Sequence, residues 1–469
     1  MTKTNKLLYF ITFSICLLFF SHTDPIYIIG QSLSYLDGHI FDFYDYNNKI
    51  IGKVPYLPTI YSLISIWMAP LKLFGIIDIN NFQNWLMNAP AKDLSGLNYS
   101  IVMTWYKCLL IFFSVLTINN IQKISALIPN NKTNNALFFA TSPFFLFIVF
   151  IFSGYDIFSI YFTTLGFYFF LKKDLTKFSL AFSIAISCKF FALIIFIPLL
   201  LLREKNILQL IKYSFFGLTT CLIYFILYKN NQTFFENAFY VIKDKTGINH
   251  FSAYKYILLL TYSLICIFCY KFNSKINKDL IKTSIFIAYF SYCFIFIATP
   301  WHPNWLLITL PFSALIFSYI KKYKEFLIIE FLGFFSYIIL MTNIWKDNLD
   351  QKMVAQGPLN FITGYGLNFR ISDLFNVHLF DNYGIHLKGL LIALFYIYLF
   401  YPLYLYKNEI SNLKVINSYI FRRYFYVLIF ILPSALALIF KWSPIASENH
   451  DNIQNIYSQS IRCLYQMCK

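Results

Sequence analysis

The chain has 469 residues, of which 58% are apolar, 21% aromatic and only 13% charged. Soluble domains carry about a quarter charged residues, so this composition leaves too little polar surface for water-facing globules and predicts a membrane protein. The chain has only 15 Gly and 15 Pro, too few for a collagen-like or low-complexity protein. It lacks the motifs GxGxxG and GxxxxGK[ST], which argues against dinucleotide-binding and P-loop enzymes. The net charge is +17, but the chain has no long polar segment that could form a nucleic-acid-binding face. Lysine and arginine collected on the cytoplasmic loops of a membrane protein explain this charge better.

Apolar runs bounded by charged residues predict about thirteen membrane-spanning helices. The first runs from Leu7 to about Phe20, and because no small-x-small cleavage site follows, we interpret it as a helix rather than a signal peptide. The run at 57–77 is ambiguous, and the run at 178–202 is broken by Lys189, so the number of crossings depends on both. The other predicted spans are 102–118, 136–152, 157–171, 178–188, 190–202, 210–228, 256–270, 283–299, 304–319, 326–343, 389–406 and 424–440.

The distribution of charge predicts the orientation of these spans. If the run at 57–77 stays on the outer side and 178–202 forms two helices, 21 of the 38 basic residues fall on short loops of one side. Those loops, which include the one carrying Arg422 and Arg423, are then cytoplasmic, as is the N-terminus. The outer loops are long and carry most of the acids, so we expect the chemistry on the outer face.

The first outer loop, at 22–56, is the strongest candidate for catalysis. Asp37, Asp42 and Asp45 fall within nine residues of one another, and Tyr44 and Tyr56 lie nearby in the sequence. A carboxylate can act as general base for a sugar hydroxyl, and a tyrosine ring can stack against a sugar. The alternative is that these are solvated loop acids.

Two further charged residues interrupt apolar sequence. Asp156, in FSGYDIF, precedes a predicted helix, where it either completes a site with the first-loop acids or interacts with the helix dipole. Lys189 would cost about 2.5–3.5 kcal/mol at the centre of a bilayer, so it needs a partner or must reach the interface. The functional alternative is that Lys189 binds the phosphate of a lipid-linked substrate.

Two later outer segments supply other candidates. The turn ATPWHPNW holds Trp301 and His302, which serve either as interfacial anchors or as substrate contacts. The loop from about 345 to 388 holds Arg370, whose guanidinium suits a phosphate. No zinc spacing, GxSxG or Ser/His/Asp pattern occurs. Most of the nine cysteines lie in apolar runs and are expected to be core residues, whereas a disulfide between Cys463 and Cys468 remains an open alternative.

Four segments together resemble the GT-C superfamily of polytopic glycosyltransferases, and in particular the mannosyltransferases of GPI assembly and their bacterial and archaeal relatives. The similarity covers roughly residues 1–320, a module that contains the first outer loop, and leaves 321–469 as a variable C-terminal module with its own outer loop. The segments are GKVPYLP at 52–58, SPFFLFIVFIFSGYD at 142–156, AISCKFFALIIFIPLLLL at 185–202 and TPWHPNWLLITLP at 299–311.

The resemblance implies an all-α bundle of about thirteen transmembrane helices with a juxtamembrane helical first outer loop. It also implies an inverting transfer of a sugar from a polyprenyl-phosphate donor to a glycan or lipid-linked acceptor on the outer face of the membrane. Mg²⁺ or Mn²⁺ is optional, and we expect no dedicated set of metal ligands. A lipid-linked oligosaccharide flippase and a polysaccharide polymerase are the alternative functions.

The same resemblance assigns roles to particular residues. The first-loop acids supply the general base, the second outer loop supplies a further acid, basic side chains bind the donor phosphate, and aromatic rings stack against the sugar. The base is Asp42, with Asp37 and Asp45 as close rivals; the second-loop acid is Asp156; the phosphate ligands are Lys189, Arg370 and His302; and the stacking rings are Tyr44, Tyr56 and Trp301.

Overall fold

The computed structural model shows helices and no strand in the part of the chain that it describes. This architecture is consistent with the predicted helical membrane protein. The described residues are 3–22, 24–88, 99–129, 131, 133–240, 253–272, 277–298, 303–320, 323–344, 357–359, 379–405, 423–428 and 431–432.

The helices pack around a core rich in phenylalanine and tyrosine. Their bounds are α1 Lys3–Phe19, α2 Asp24–Leu36, α3 Phe43–Ile50, α4 Pro58–Leu73, α5 Ile79–Asn88, α6 Tyr99–Leu127, α7 Asn135–Ala140, α8 Pro143–Phe145, α9 Ile157–Leu171, α10 Leu175–Cys188, α11 Ala192–Arg203, α12 Ile207–Leu227, α13 Gln232–Phe234, α14 Ala253–Lys271, α15 Asn277–Ala298, α16 Leu310–Ile316, α17 Tyr323–Ile344 and α18 Leu379–Leu405. Two π-helical stretches occupy Leu146–Ile151 and Phe235–Tyr240, and 3₁₀ turns occupy Pro303–Ile308, Phe317–Tyr319 and Arg423–Val427.

Among the described residues, α6 and α12 are long and apolar enough to cross a membrane as single helices. A third crossing results if α1 and α2, which are bent by 63° at residues 20–23, count as one broken span. Several other apolar helices are shorter, including α9, α10 and α11. The figure of about thirteen spans therefore stays a prediction.

The segment predicted as the first outer loop is largely helical. Residues 24–36 form α2, which packs against α4, and residues 43–50 form the short helix α3. Tyr228, just after α12, donates a hydrogen bond of 2.6 Å to the carbonyl of Ile40, so this loop is fastened to the end of a long apolar helix.

The predicted span at 136–152 is not one continuous α-helix. It consists of α7, α8 and the fully buried π-helix at 146–151, after which Ser153 adopts a left-handed conformation with φ of 63°. The next residue must be small, because a Cβ on Gly154 would lie 2.8 Å from the carbonyl oxygen of Ile148. This tight exit from the π-helix leads directly to Asp156.

Arg423, which the charge pattern places on a short basic loop, is buried in the structure. Arg423 is 1% exposed, and its guanidinium forms a two-pronged ion pair with the equally buried Glu330 of α17. It also donates to the carbonyl of Phe138 at 2.5 Å and lies 3.5 Å from the centre of that ring. Positive charge alone predicts a loop, whereas an acid within another apolar helix provides a partner that stabilises Arg423 in the core.

Removing one member of this pair should destabilise the fold strongly. Glu330→Ala leaves a buried guanidinium without its counter-charge, which costs about 3–5 kcal/mol, whereas Glu330→Leu combined with Arg423→Met should cost much less. Thermal unfolding in detergent measures the difference. The matched control is Lys177→Ala, which breaks the surface pair with Asp174, leaves the Asp174 N-cap of α10 intact and should shift stability by less than about 1 kcal/mol. Equal melting temperatures for Glu330→Ala and wild type would contradict this account.

Candidate functional site

Asp156 and Lys189 form a buried ion pair at one end of the bundle. The Nζ atom of Lys189 lies 2.5 Å from Oδ1 of Asp156, and their side chains are 9% and 1% exposed. The pair joins the start of α9 to the connection between α10 and α11. Each residue thus supplies the counter-charge that the other needs in an apolar surrounding.

The local backbone explains why these two side chains meet. Lys189 adopts an extended conformation after the last residue of α10, and α11 begins three residues later. Asp156 precedes α9 but makes no capping hydrogen bond with its carboxylate. The ion pair therefore satisfies both charges. Asp156 does not cap the helix through its carboxylate, and Lys189 does not extend to the surface.

Three aromatic rings surround the ammonium group of Lys189. The ring centres of Tyr56, Phe191 and Tyr155 lie 5.7, 5.9 and 6.0 Å from Nζ. The hydroxyl of Tyr155 donates to that of Tyr56 at 2.8 Å. Burial raises the pKa of both tyrosines, and the carboxylates of Asp24 and Asp156 raise it further, so both phenols stay protonated at neutral pH.

Asp24 is the residue of this site that our sequence analysis missed. Its carboxylate lies close enough to Tyr56 and Tyr155 to influence both pKa values, and its side chain is 43% exposed, unlike Asp156. The sequence feature that indicates Asp24 is its position as the first acid after the first apolar run. The cluster of Asp37, Asp42 and Asp45 is the more conspicuous pattern of acids in the same loop.

His22 holds the start of α2 in place beside Asp24. The backbone N–H of Asp24 donates to Nδ1 of His22 at 3.1 Å, which assigns the proton of the neutral imidazole to Nε2. The same Nδ1 is 3.3 Å from a carboxylate oxygen of Asp24, a distance suited to an ion pair when the imidazole is protonated. The imidazole stacks on Phe152 at 4.4 Å, so it also links the end of α1 to the turn before Asp156.

One oxygen of the buried pair has no hydrogen-bond partner. Among the residues that the structure describes, no donor reaches the buried Oδ2 of Asp156, and the buried Oγ of Ser153, three residues earlier, likewise has no partner. A buried carboxylate oxygen without a donor is costly, and such exceptions concentrate at functional sites. The arrangement can therefore accept a hydrogen bond from a hydroxyl-bearing ligand.

The structure brings none of the three clustered first-loop acids into the surroundings of Lys189. Asp37 lies 3.7 Å from Lys72, and Asp42 is 2.9 Å from His39 on the exposed surface. Both oxygens of Asp45 accept hydrogen bonds, one from Asn231 at 2.7 Å and one from Thr233 at 2.5 Å. Asp45 thus fastens α3 to the start of α13, while the catalytic role of the three acids stays a prediction.

The predicted substrate-stacking residues differ in their surroundings. Tyr56 is partly exposed beside Lys189, whereas Tyr44 is fully buried, with its hydroxyl donating to the backbone carbonyl of Tyr56 at 2.7 Å. Tyr44 therefore fixes the backbone of Tyr56 through this hydrogen bond and does not itself face the site. Trp301, His302 and Arg370 lie outside the described residues. Trp305, four residues after Trp301, packs edge-on against Phe191 at 4.5 Å and so borders the site.

Within the described ranges, no group of three or more His, Cys, Asp or Glu side chains is arranged to hold a metal ion. Asp24 and Asp156 could contribute two carboxylates beside a substrate phosphate, which is a usual way of binding Mg²⁺.

No family model matches the chain, and no characterised protein or solved structure shows significant similarity to it. Functional arguments therefore rest on the site itself and on the motifs quoted above.

We expect the ion pair to be coupled energetically. Lys189→Met leaves the Asp156 carboxylate buried without a counter-charge and should destabilise the protein by about 3–5 kcal/mol. Adding Asp156→Asn should recover at least half of that loss, because the uncompensated charge is gone. A double-mutant cycle of melting temperatures in detergent tests this prediction. Additive losses from the two substitutions would show that the side chains do not interact.

Proposed function

We propose that this chain is a multi-pass membrane glycosyltransferase that transfers a sugar from a polyprenyl-phosphate donor to a hydroxyl of a glycan or lipid-linked acceptor. The chemistry takes place at the end of the bundle that carries Asp24, Asp156 and Lys189, on the outer face of the membrane. The resemblance of four segments to the GT-C superfamily motivates the reaction class, and the geometry around Asp156 supports the position of the site.

One observation carries the proposal: a partly exposed carboxylate, Asp24, and a buried one, Asp156, both lie close enough to the same pair of tyrosines to raise their pKa. Asp24 has the exposure required of a group that takes a proton from an incoming substrate. Asp156 is held rigidly by Lys189 and keeps one acceptor oxygen available. Transfer of a sugar to a hydroxyl requires a general base for that hydroxyl and further groups to orient it.

The roles follow from exposure and pairing. Asp24 accepts the proton of the acceptor hydroxyl as the oxygen attacks the anomeric carbon. Asp156 binds a hydroxyl of the substrate through Oδ2 and fixes the direction of approach. Tyr56, neutral because its pKa is raised by burial and by Asp156, presents its ring and its hydroxyl to the sugar. Displacement of the phosphate from the opposite face inverts the anomeric configuration.

The leaving phosphate needs positive charge close to it. Lys189 is a cation of this site, but Asp156 already balances its charge. A further cation is therefore required, supplied either by a basic side chain such as Arg370 or His302 or by a divalent ion held by Asp24 and Asp156. Either one would stabilise the charge that develops on the phosphate.

A proton-coupled transporter of lipid-linked sugars is the second candidate. The buried Asp156–Lys189 pair favours it, since ionisable pairs among apolar helices also mark proton pathways. Proteoliposomes loaded with a pH-sensitive dye distinguish the two functions. Proton uptake that depends on a lipid-linked sugar, without formation of a glycosylated product, would favour transport.

The base assignment predicts a large difference between two carboxylates. Asp24→Asn removes the proton acceptor but keeps the shape of the side chain, so turnover should fall about 100- to 10,000-fold. Asp42→Asn, on the surface beside His39, should stay within about threefold of wild type. The assay supplies the purified protein with a panel of radiolabelled polyprenyl-phosphate sugars and measures transfer to acceptor glycolipids.

The two variants serve as controls for each other, because each replaces an exposed first-loop aspartate with its amide. Loss of transfer in Asp42→Asn with full activity in Asp24→Asn would restore Asp42 as the base. Full activity in both would remove the general base from this loop.

The orientation of the site generates a separate prediction. Lys53, three residues before Tyr56, and Lys173, in the turn between α9 and α10, are both exposed and lie at opposite ends of the bundle. In a cysteine-free background, a membrane-impermeant maleimide should label Lys53→Cys in intact cells. It should label Lys173→Cys only after permeabilisation. Labelling of residue 173 alone in intact cells would place the site in the cytosol and contradict the proposed donor.

A further inference from the structure

Lys107 is a second buried lysine, and the proposed reaction does not use it. It lies on α6, within a helix long and apolar enough to cross a membrane, and is 1% exposed. Its ammonium group donates to three backbone carbonyls: Phe20, Phe150 at 2.6 Å and Cys16 at 3.4 Å. A lysine ammonium has three N–H donors, so the three carbonyls use its full capacity.

These carbonyls belong to two helix ends. Cys16 lies in the last turn of α1 and Phe20 follows that helix, while Phe150 is the penultimate residue of the π-helix. Carbonyls at helix C-termini lack partners within the helix and carry the negative end of its dipole. A single ammonium therefore satisfies both ends and holds them at a fixed separation.

Each of the two ends leads directly to a carboxylate of the site. Asp24 comes four residues after Phe20, and Asp156 comes six residues after Phe150. The neighbouring residue on α6, Tyr106, donates its hydroxyl to the carbonyl of the left-handed Ser153 at 3.1 Å. Two consecutive residues of α6 thus bond to the backbone segments that lead to Asp24 and to Asp156; these segments are the two approaches to the site.

We infer that Lys107 is a positioning residue that sets the separation of Asp24 from Asp156, with Tyr106 as its auxiliary. The inference rests on the proposed function for its effect on turnover, but the geometric part stands without it. A shift of about 1 Å in a catalytic group can lower a rate about 100-fold, so an error in this spacing should appear in turnover before it appears in substrate binding.

Lys205, which follows α11, provides a control lysine that is exposed rather than buried. Lys205 likewise donates to the carbonyls of two helix ends, to Leu201 at 2.5 Å and to Cys269 at 2.6 Å. It follows the end of α11 that is remote from Lys189, about 18 Å along the helix axis. Replacing Lys205 removes the same kind of interaction without touching either approach to the site.

The experiment compares Lys107→Gln with Lys205→Gln in the full-length protein in lipid nanodiscs. Carbodiimide with glycine ethyl ester labels accessible carboxylates, and mass spectrometry quantifies the modification at Asp24 and Asp156. In Lys107→Gln, labelling of the buried Asp156 should rise severalfold, turnover should fall about 10- to 100-fold, and the KM for the donor should stay within about twofold. Lys205→Gln should match wild type in all three measurements.

Wild-type labelling in Lys107→Gln, or an equal rise in Lys205→Gln, would overturn the inference. If Lys107→Gln cannot be obtained folded, Tyr106→Phe decides instead, because it removes one hydrogen bond to the same turn and should raise labelling of Asp156 by a smaller factor. Unchanged labelling in that variant also overturns it. If wild-type protein transfers no sugar, the proposed function fails, while the labelling still decides the role of Lys107.

Discussion

The pairing of Asp156 with Lys189 is the interaction on which the candidate site depends. Either charge alone would be unstable among apolar helices, because the desolvation of an ion costs several kcal/mol. The pair requires the start of α9 and the break between α10 and α11 to lie side by side, at the same height along the helix axes. Tyr56, Tyr155 and Phe191 then enclose the ammonium and leave only one carboxylate oxygen without a partner.

The site is built from interruptions of helices. The bend between α1 and α2, the exit from the π-helix and the extended residue after α10 each supply one of its charged groups. A continuous helix would direct its backbone groups along its own axis and carry such side chains away from one another. Lysines compensate the backbone groups that the interruptions expose, since Lys107 and Lys205 both donate to carbonyls at helix ends.

Much of the helical architecture could be predicted from apolar runs. The run at 157–171 coincides with α9, and the boundary at Lys189 coincides with the break between α10 and α11. Periodicity and charge could not predict the π-helix, because its sequence LFIVFI is as apolar as that of an ordinary span. The burial of Arg423 could not be predicted for a related reason: its partner Glu330 lies 93 residues away, and a local rule cannot detect it.

The site could be predicted only in part. Asp156, Lys189 and Tyr56 were expected to act, and the structure brings them together. Asp24 was missed because a single acid next to a span resembles an ordinary boundary residue, whereas three clustered acids suggest a site. The contacts of Asp45 could not be predicted either, since its partners Asn231 and Thr233 are distant in sequence and engage both of its oxygens.

The π-helix at 146–151 makes the length of this segment critical. A π-turn contains one residue more than an α-turn, so deletion of a single residue would allow the stretch to become α-helical. A further residue gained or lost in this stretch would have no such turn to absorb it, and every later residue would rotate by about 100° around the axis. Asp156 would no longer face Lys189, although the composition of the segment would scarcely change. The register of this buried stretch, more than its hydrophobicity, therefore limits which insertions and deletions the protein can tolerate.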